Sequence, residues 1–337
     1  MIYSPSASDR VLETCARVID APPAEWSCAL LSLTGLTRLR VSLNGTSRRS
    51  GSLAHLALPN GSISCVRLHQ RTITDSFNGP LPTLVMLRLG VVDLSMPGRS
   101  RLPGQSDIFL LEPGQRLVSL VPHEAEGLLI RFQAMPESAP LRLADYAVES
   151  IRTEVGQFIA DTRYVIDHAV LVRRAILLLE RLRALLSGRW LPSLPSPTNS
   201  SDPRVEQVLR FIQAEPDWTF CMDFLAARVH TGARNLYRLI RRQTGITPYA
   251  CYQRARLLRV REDIARLVDP GATVSWYATG HGFTHLSRFS GDYRRLFGEL
   301  PSVTLAQRKA LTDPHQAPLL DGRINLKISS TDDQALN

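Results

Sequence analysis

Nine arginines, Arg228, Arg234, Arg238, Arg241, Arg242, Arg254, Arg256, Arg259 and Arg261, fall in a stretch that contains no Asp or Glu. A guanidinium is a planar fork of donors that matches phosphate oxygens and the O6/N7 edge of guanine, so such a run sets up a one-signed field suited to a polyanion. A solvated helical face would interleave acidic residues with them, and here none intervenes. The chain carries a net charge of +9, and residues 201–310 alone hold 17 basic against 10 acidic side chains. Lys309 and Lys327 are the only lysines.

Other reactive groups are not arranged for catalysis. No Ser-His-Asp or Cys-His pattern is identifiable, and no glycine-rich phosphate loop follows a strand pattern. In the first 190 residues, His55, His69, His123 and His168 form no His-x-His pair, and His123-Glu124-Ala125-Glu126 is too short a cluster to hold a metal. No cofactor or metal is expected, and the chain is read as a non-enzyme. Cys15, Cys28, Cys65, Cys221 and Cys251 are odd in number and widely spaced, which fits reduced, mostly buried thiols in a cytoplasmic protein. The first ten residues lack the basic and apolar regions of a secretory signal. The most apolar stretch, Ala169 to Leu186, is interrupted by five charged residues, so no membrane partner is expected.

The elements that would position the arginines are legible in the periodicity. Leu39–Leu43, Ser62–Leu68, Thr83–Leu89, Ile108–Leu111 and Gly127–Phe132 are short apolar runs separated by turn signals such as Asn44-Gly45 and Asn60-Gly61, as in an antiparallel sandwich or barrel. From Asp145 to Leu186 the apolar spacing becomes helical. Leu191 to Ser201, with three prolines among small polar residues, reads as a linker. Beyond it the pattern is all helical, starting at Asp202-Pro203 with a carboxylate at the N-cap and proline at N1. The tail 311–337 is polar and expected to be disordered.

Two constellations follow the linker. In the first, Phe224 to Val229 supplies one helix, and a second places Leu236, Leu239 and Ile240 inward and Arg234, Tyr237, Arg238 and Arg241 outward, with Gly245 and Pro248 ending it. In the second, Phe289, Tyr293, Leu296 and Phe297 form the buried stripe of a helix that Thr284 could cap, with His285, Leu286, Ser287 and Arg288 at its first turn and Trp276 and Phe283 in the core. Tyr249 to Val268 reads as one long amphipathic helix joining the two. Arg256 and Arg259 on this strut could contact phosphate or simply solvate it.

The segment from Asp202 to about Arg308 resembles the AraC/XylS family of transcription regulators. The likeness rests on Leu225-Ala226, Leu236-Tyr237-Arg238, Thr244-Gly245-Ile246-Thr247-Pro248, and above all Gly282-Phe283-Thr284-His285-Leu286 through Phe297-Gly298-Glu299-Leu300-Pro301-Ser302. It implies an all-α domain of two helix-turn-helix units (202–310) after an N-terminal β-rich, cupin-like double-stranded β-helix domain with helices (1–190), which would sense an effector and form a homodimer, and a linker at 191–201. The implied function is sequence-specific regulation, activation included, with double-stranded promoter DNA and RNA polymerase as partners; the alternative is a cupin-type metalloenzyme fused to a DNA-binding module. Carried over position by position, the DNA-binding residues are Arg234, Tyr237, Arg238, Arg241 and Arg242 in the first unit and His285, Leu286, Ser287 and Arg288 in the second. Three departures stand out. Gly232 replaces the usual small polar cap, His230 the usual turn glycine, and Gly291 a longer contacting side chain.

Overall fold

Apolar runs that alternate along a strand bury one face each, and here they stack as two sheets. The structure, a computed structural model, describes residues 12–44, 50–90, 93–95, 107–121, 124–134, 145–188, 202–215, 218–312 and 324–329. After a single 3-10 turn (Glu13–Cys15) come β1 (Ala16–Ala21), α1 (Pro23–Thr34), β2 (Arg38–Asn44), β3 (Gly51–Leu58), β4 (Gly61–Leu68) and β5 (Thr72–Phe77). They are followed by β6 (Thr83–Leu89), β7 (Asp93–Ser95), β8 (Ile108–Leu111), β9 (Arg116–Val121) and β10 (Ala125–Phe132). The strands order as β1-β3-β4-β10-β6-β8 in one sheet and, with β11 (Ile324–Ser329), as β11-β2-β5-β9-β7 in the other. This is the β-rich half. Leu53 and Leu68 of the first sheet meet Leu39, Val41 and Val121 of the second around the fully buried Trp26 of α1.

The outer face of the six-stranded sheet is covered by two helices, α2 (Asp145–Thr162) and α3 (His168–Leu186). Ile151, Val155, Leu171, Ala175, Leu178 and Leu182 pack on Leu56, Ile63, Leu84, Leu128, Ile130 and Phe132. That double coverage explains why β3 is buried at Gly51 and from Leu53 to Leu56 instead of on alternate residues. The one charge sunk into this sheet, Glu126, accepts from Arg67 and Arg88, which meets the requirement that a buried carboxylate be paired.

The C-terminal region is helical throughout: α4 (Pro203–Ala214), α5 (Met222–Arg228), α6 (Ala233–Thr244), α7 (Pro248–Arg266), α8 (Val274–Gly280), α9 (Leu286–Phe297) and α10 (Pro301–Ala310). Asp202 caps α4 by accepting from the Arg204 amide at 3.0 Å, with Pro203 at N1. Two buried clusters form, one of α4, α5, α6 and the start of α7, the other of the later part of α7 with α8, α9 and α10.

Three expectations change. The tail is not wholly unordered, because β11 pairs in parallel with β2 from Ile324↔Leu39 to Ser329↔Asn44. Its sequence alternates Ile324, Leu326 and Ile328 with polar residues, a period-2 signal that the polar composition around it hides. Trp276 is 50% exposed instead of core. Thr284 does not cap α9; His285 occupies the N-cap position without a side-chain bond. The Leu191–Ser201 segment and His123 lie outside the described residues.

Candidate nucleic-acid interface

A helix can present a reading face only if its other face is anchored. In the first unit, Leu236 and Ile240 of α6 are fully buried against Leu225 and Ala226 of α5, Val229 just after it, and Val205, Val208 and Ile212 of α4. The 3.6-residue period then turns Arg234, Tyr237, Arg238 and Arg241 to solvent, and all four are exposed, as is Arg242. Arg238 is lightly steadied by donating to Asn235 Oδ1 at 3.1 Å, and Asn235 in turn donates to Thr231 Oγ1. The turn before α6 holds His230 at φ 49°, a left-handed conformation that costs a non-glycine residue about 1 kcal/mol. Gly232 at the N-cap makes no side-chain bond, so the first amides of α6 face outward without a side-chain acceptor from the cap, on the exposed side where an anion would be favoured.

The second unit repeats the plan. Phe289, Tyr293, Leu296 and Phe297 bury one side of α9, and His285, Leu286, Ser287 and Arg288 are all exposed at its start. Arg294 and Arg295 extend the cationic surface towards its end, with Arg295 leaning on Asp292 at 2.9 Å. The turn between α8 and α9 is held from behind. Arg256 donates through Nε and Nη2 to the His281 carbonyl at 2.9 and 2.5 Å and lies over the Phe283 ring, while His281 Nε2 meets Asp263 Oδ2 at 2.7 Å. Gly282 suits this turn because its backbone is left-handed (φ +73°), a conformation that other residues adopt only under strain.

The family described as a helix-turn-helix domain matches residues 225–307, which takes in both units and the helix between them. XylDLEGF operon transcriptional activator 1 of Pseudomonas putida is 36% identical over 114 residues, covering 33% of this chain and 34% of that protein. The HTH-type transcriptional activator RhaS of Klebsiella pneumoniae is 28% identical over 170 residues, 50% of this chain and 58% of that one. Among solved structures, a probable AraC family transcriptional regulator from Rhodopseudomonas palustris is 30% identical over 32% of this chain and 99% of its own, with a TM-score of 0.31. The C-terminal region is similar to transcriptional activators of the AraC/XylS type. It spans about a third of the length of the first of these relatives.

The long arginine run divides into two populations. The four on α6 are free-facing, but the other five are engaged within the fold. Arg228 stacks on Phe211 with its guanidinium carbon 4.1 Å from the ring centroid. Arg256 holds the turn described above, and Arg259 donates to the Gln213 carbonyl. Arg254, 6% exposed, donates to the Val165 carbonyl at 3.1 Å and to Glu13 at 2.5 Å. Arg261, 1% exposed, donates to the Ala16 carbonyl, pairs with Glu299 at 3.1 Å and lies over Phe297. The strut is therefore largely a packing element against β1 and not a phosphate rail. Its register carried the signal: Arg254 and Arg261 fall with Leu258 and Ala265 at i, i+4, i+7 and i+11, which puts them on the apolar face.

Further ties that the sequence reading did not single out join the halves. Arg308, 2% exposed, donates to the Ala265 carbonyl at 2.8 Å and to Glu25 of α1 at 2.5 Å. Arg266 pairs with Asp20 at 3.3 Å. A hydrogen bond from His69, helped by the Arg266 charge and opposed by burial, holds Asp20 well below the usual carboxylate range. At Glu299, burial would raise the carboxyl, but the charges of Arg261 and Arg17 outweigh it and keep the group ionised.

Proposed function

We propose that the chain is a sequence-specific DNA-binding transcription regulator that inserts α6 and α9 into successive major-groove segments of promoter DNA. The observation that carries this reading is the pairing of two similarly built helix-turn-helix units on one continuous helix, α7, each with its second helix anchored by an apolar face and its first turns open to solvent. Helices of this kind read base edges near their N-terminal ends and hold phosphates further along. Arg234, Tyr237 and Arg238 are the base readers of the first unit, and Leu286, Ser287 and Arg288 those of the second. Arg241, Arg242 and His285 contact backbone or adjacent bases. The relatives named as transcriptional activators support activation as the outcome.

In the same reading, residues 1–190 form the sensing and dimerising half, responding to a small molecule or partner, and residues 202–310 the reading half. A pocket lined by Glu13, Asp20, Ser52, Arg67, His69 and Glu126 supports the sensing role, since Glu13 and Asp20 also hold Arg254 and Arg266 of α7.

The reading is tested at Arg238. Arg238→Ala should cost about 1–3 kcal/mol of duplex affinity and relax preference at one base pair. Titration of single-base variants of a selected duplex measures this, and an unchanged preference profile would remove Arg238 from the reading face.

A further inference from the structure

Helix α7 serves both units, and its apolar residues enter two different clusters. Cys251, Tyr252 and Ala255 belong to the core of the first unit, Leu257, Leu258, Val260 and Ile264 to that of the second. Apolar burial is non-directional, so these contacts hold each unit on the helix but define its roll about the axis only weakly. A directional tie defines it better, and Arg256 stands where the one cluster gives way to the other.

The half-buried Arg256 guanidinium lies over a ring of each unit. Its carbon is 5.3 Å from the centroid of Tyr252, in the first core, and 4.5 Å from that of Phe283, in the turn between α8 and α9. Both separations fall within the range of a cation–π contact. Tyr252 is fixed in its own unit, 7% exposed and donating from its hydroxyl to the Trp218 carbonyl at 2.8 Å. Phe283 packs on Phe289 of α9, with ring centroids 4.9 Å apart. On this second side the contact is also a hydrogen bond, since Nε and Nη2 of Arg256 both donate to the His281 carbonyl. Asp263 lies two turns further along the same face of α7, and its Oδ2 stands 2.7 Å from His281 Nε2. His281 is therefore clasped by α7 through its carbonyl and through its ring, just ahead of the start of α9 at Leu286. Arg261 pairs with Glu299, and the Ala265 carbonyl accepts from Arg308, but these ties act beyond the far end of α9.

We propose that Arg256, with Asp263 and His281, is the positioning residue that sets the spacing and relative rotation of the two recognition helices. It touches no base; its planar fork and the two flanking rings convert the path of α7 into a fixed offset between α6 and α9. The consequence on a duplex is a preference for one separation of the two segments. One base pair added between them displaces the second segment by about 3.4 Å and about 35° of rotation, which a rigid pair of readers cannot follow. The inference rests on the reading of α6 and α9 as base-reading helices, and one arm of the test does not depend on it.

That arm is amide hydrogen exchange in the full chain, wild type against Arg256→Met, which keeps an apolar contact between the two rings and gives up the bonds to His281. The amides of Gly282 and Phe283, bonded to the Thr279 and Ala278 carbonyls at 2.9 and 3.0 Å, should exchange at least about threefold faster. Unchanged exchange overturns the proposal. The second arm uses a duplex selected from a randomised pool by the wild-type chain, its α6 segment located by Arg238→Ala and its α9 segment by Arg288→Ala. Insertion of one base pair between the segments should cost the wild type about tenfold in affinity and Arg256→Met no more than about threefold, with base preference inside each segment kept within about twofold. Arg256→Lys retains the charge but not the fork and should behave as Arg256→Met does. Asp263→Ala frees the His281 ring alone, should at least halve the penalty, and decides the matter should Arg256→Met not fold. A wild type indifferent to the insertion, or a penalty as steep as its own in the folded variants, overturns the proposal. Loss of base preference with the penalty intact does so too, since Arg256 would then only support the turn. A salt slope reduced by about 1 in Arg256→Met and restored in Arg256→Lys would make Arg256 a phosphate contact instead. Faster exchange at the turn without any enriched duplex would uphold the clasp and remove the DNA-reading function.

Discussion

An arginine has five N–H donors to place, and its burial decides whether they go to the fold or to a partner. The arginines of α6 keep most of theirs in solvent, Arg238 sparing one for Asn235, whereas Arg254, Arg261 and Arg308 turn theirs to carbonyls and carboxylates of the fold without placing every one. Residue type alone therefore marks cationic chemistry without saying whom it serves. All nine DNA-facing candidates are exposed, because each lies opposite a strong apolar stripe; on α7 the absence of acidic neighbours says less than register, which turns Arg254 and Arg261 onto the apolar face. Histidine shows the same dependence on burial. His55 lies in the sandwich, 8% exposed, its Nδ1 2.8 Å from Ser64 Oγ, and burial followed by the charges of Arg17 and Arg131 lowers its pKa from 6.5 to about 4. A depressed histidine favours the folded state while neutral, so its contribution is intact above pH 6.5 and is lost as pH falls towards 4. The loss is on the order of 3 kcal/mol. Urea denaturation at pH 7 and pH 4.5 should show a shallower pH dependence in His55→Asn than in the wild type; equal slopes would mean that His55 does not titrate out of range.

At the scale of elements, α7 is the one on which most depends. It carries both units and lies on β1 through buried guanidinium groups, so its stability and its orientation are one problem. Arg261→Met keeps the apolar contact with Phe297 and leaves Glu299 to Arg17, and should cost about 1–3 kcal/mol. Removing Arg17 as well leaves the carboxylate uncompensated and should raise the cost to about 3–5 kcal/mol. A double-mutant cycle in guanidinium chloride measures both, and additive losses would argue against a shared carboxylate. The strands tell a related story about legibility. β4, β6, β8 and β10 carry apolar runs and were recognisable. By contrast, β3 is covered on both faces and lost its alternation, and β5 is built of Thr, Ser and Asp that pair within the second sheet, as Thr74 does with Ser119 at 2.5 Å. β11 was hidden in a polar tail. Truncation after Thr312 removes its six-residue pairing with β2 and should lower stability by about 1–3 kcal/mol; an unchanged melting temperature would show that the strand contributes nothing.

For the molecule as a whole, the net charge of +9 already counts the glutamates that pair with Arg254, Arg261 and Arg308, so these buried pairs leave the excess unchanged while withdrawing three arginines from anything a duplex would meet. The working surface is narrower: the outer faces of α6 and α9, carried on a helix that the N-terminal half holds. The direct measurement is the affinity of the full chain for a selected duplex as a function of salt. A log–log plot should be linear and steep, and Arg241→Ala and Arg242→Ala should each reduce its slope by about 1. Arg259→Ala, whose guanidinium is bonded to the Gln213 carbonyl, should leave the slope unchanged. Affinity that ignores salt, or a slope that responds to Arg259 and not to Arg241 and Arg242, would contradict the placement of DNA on these two helices.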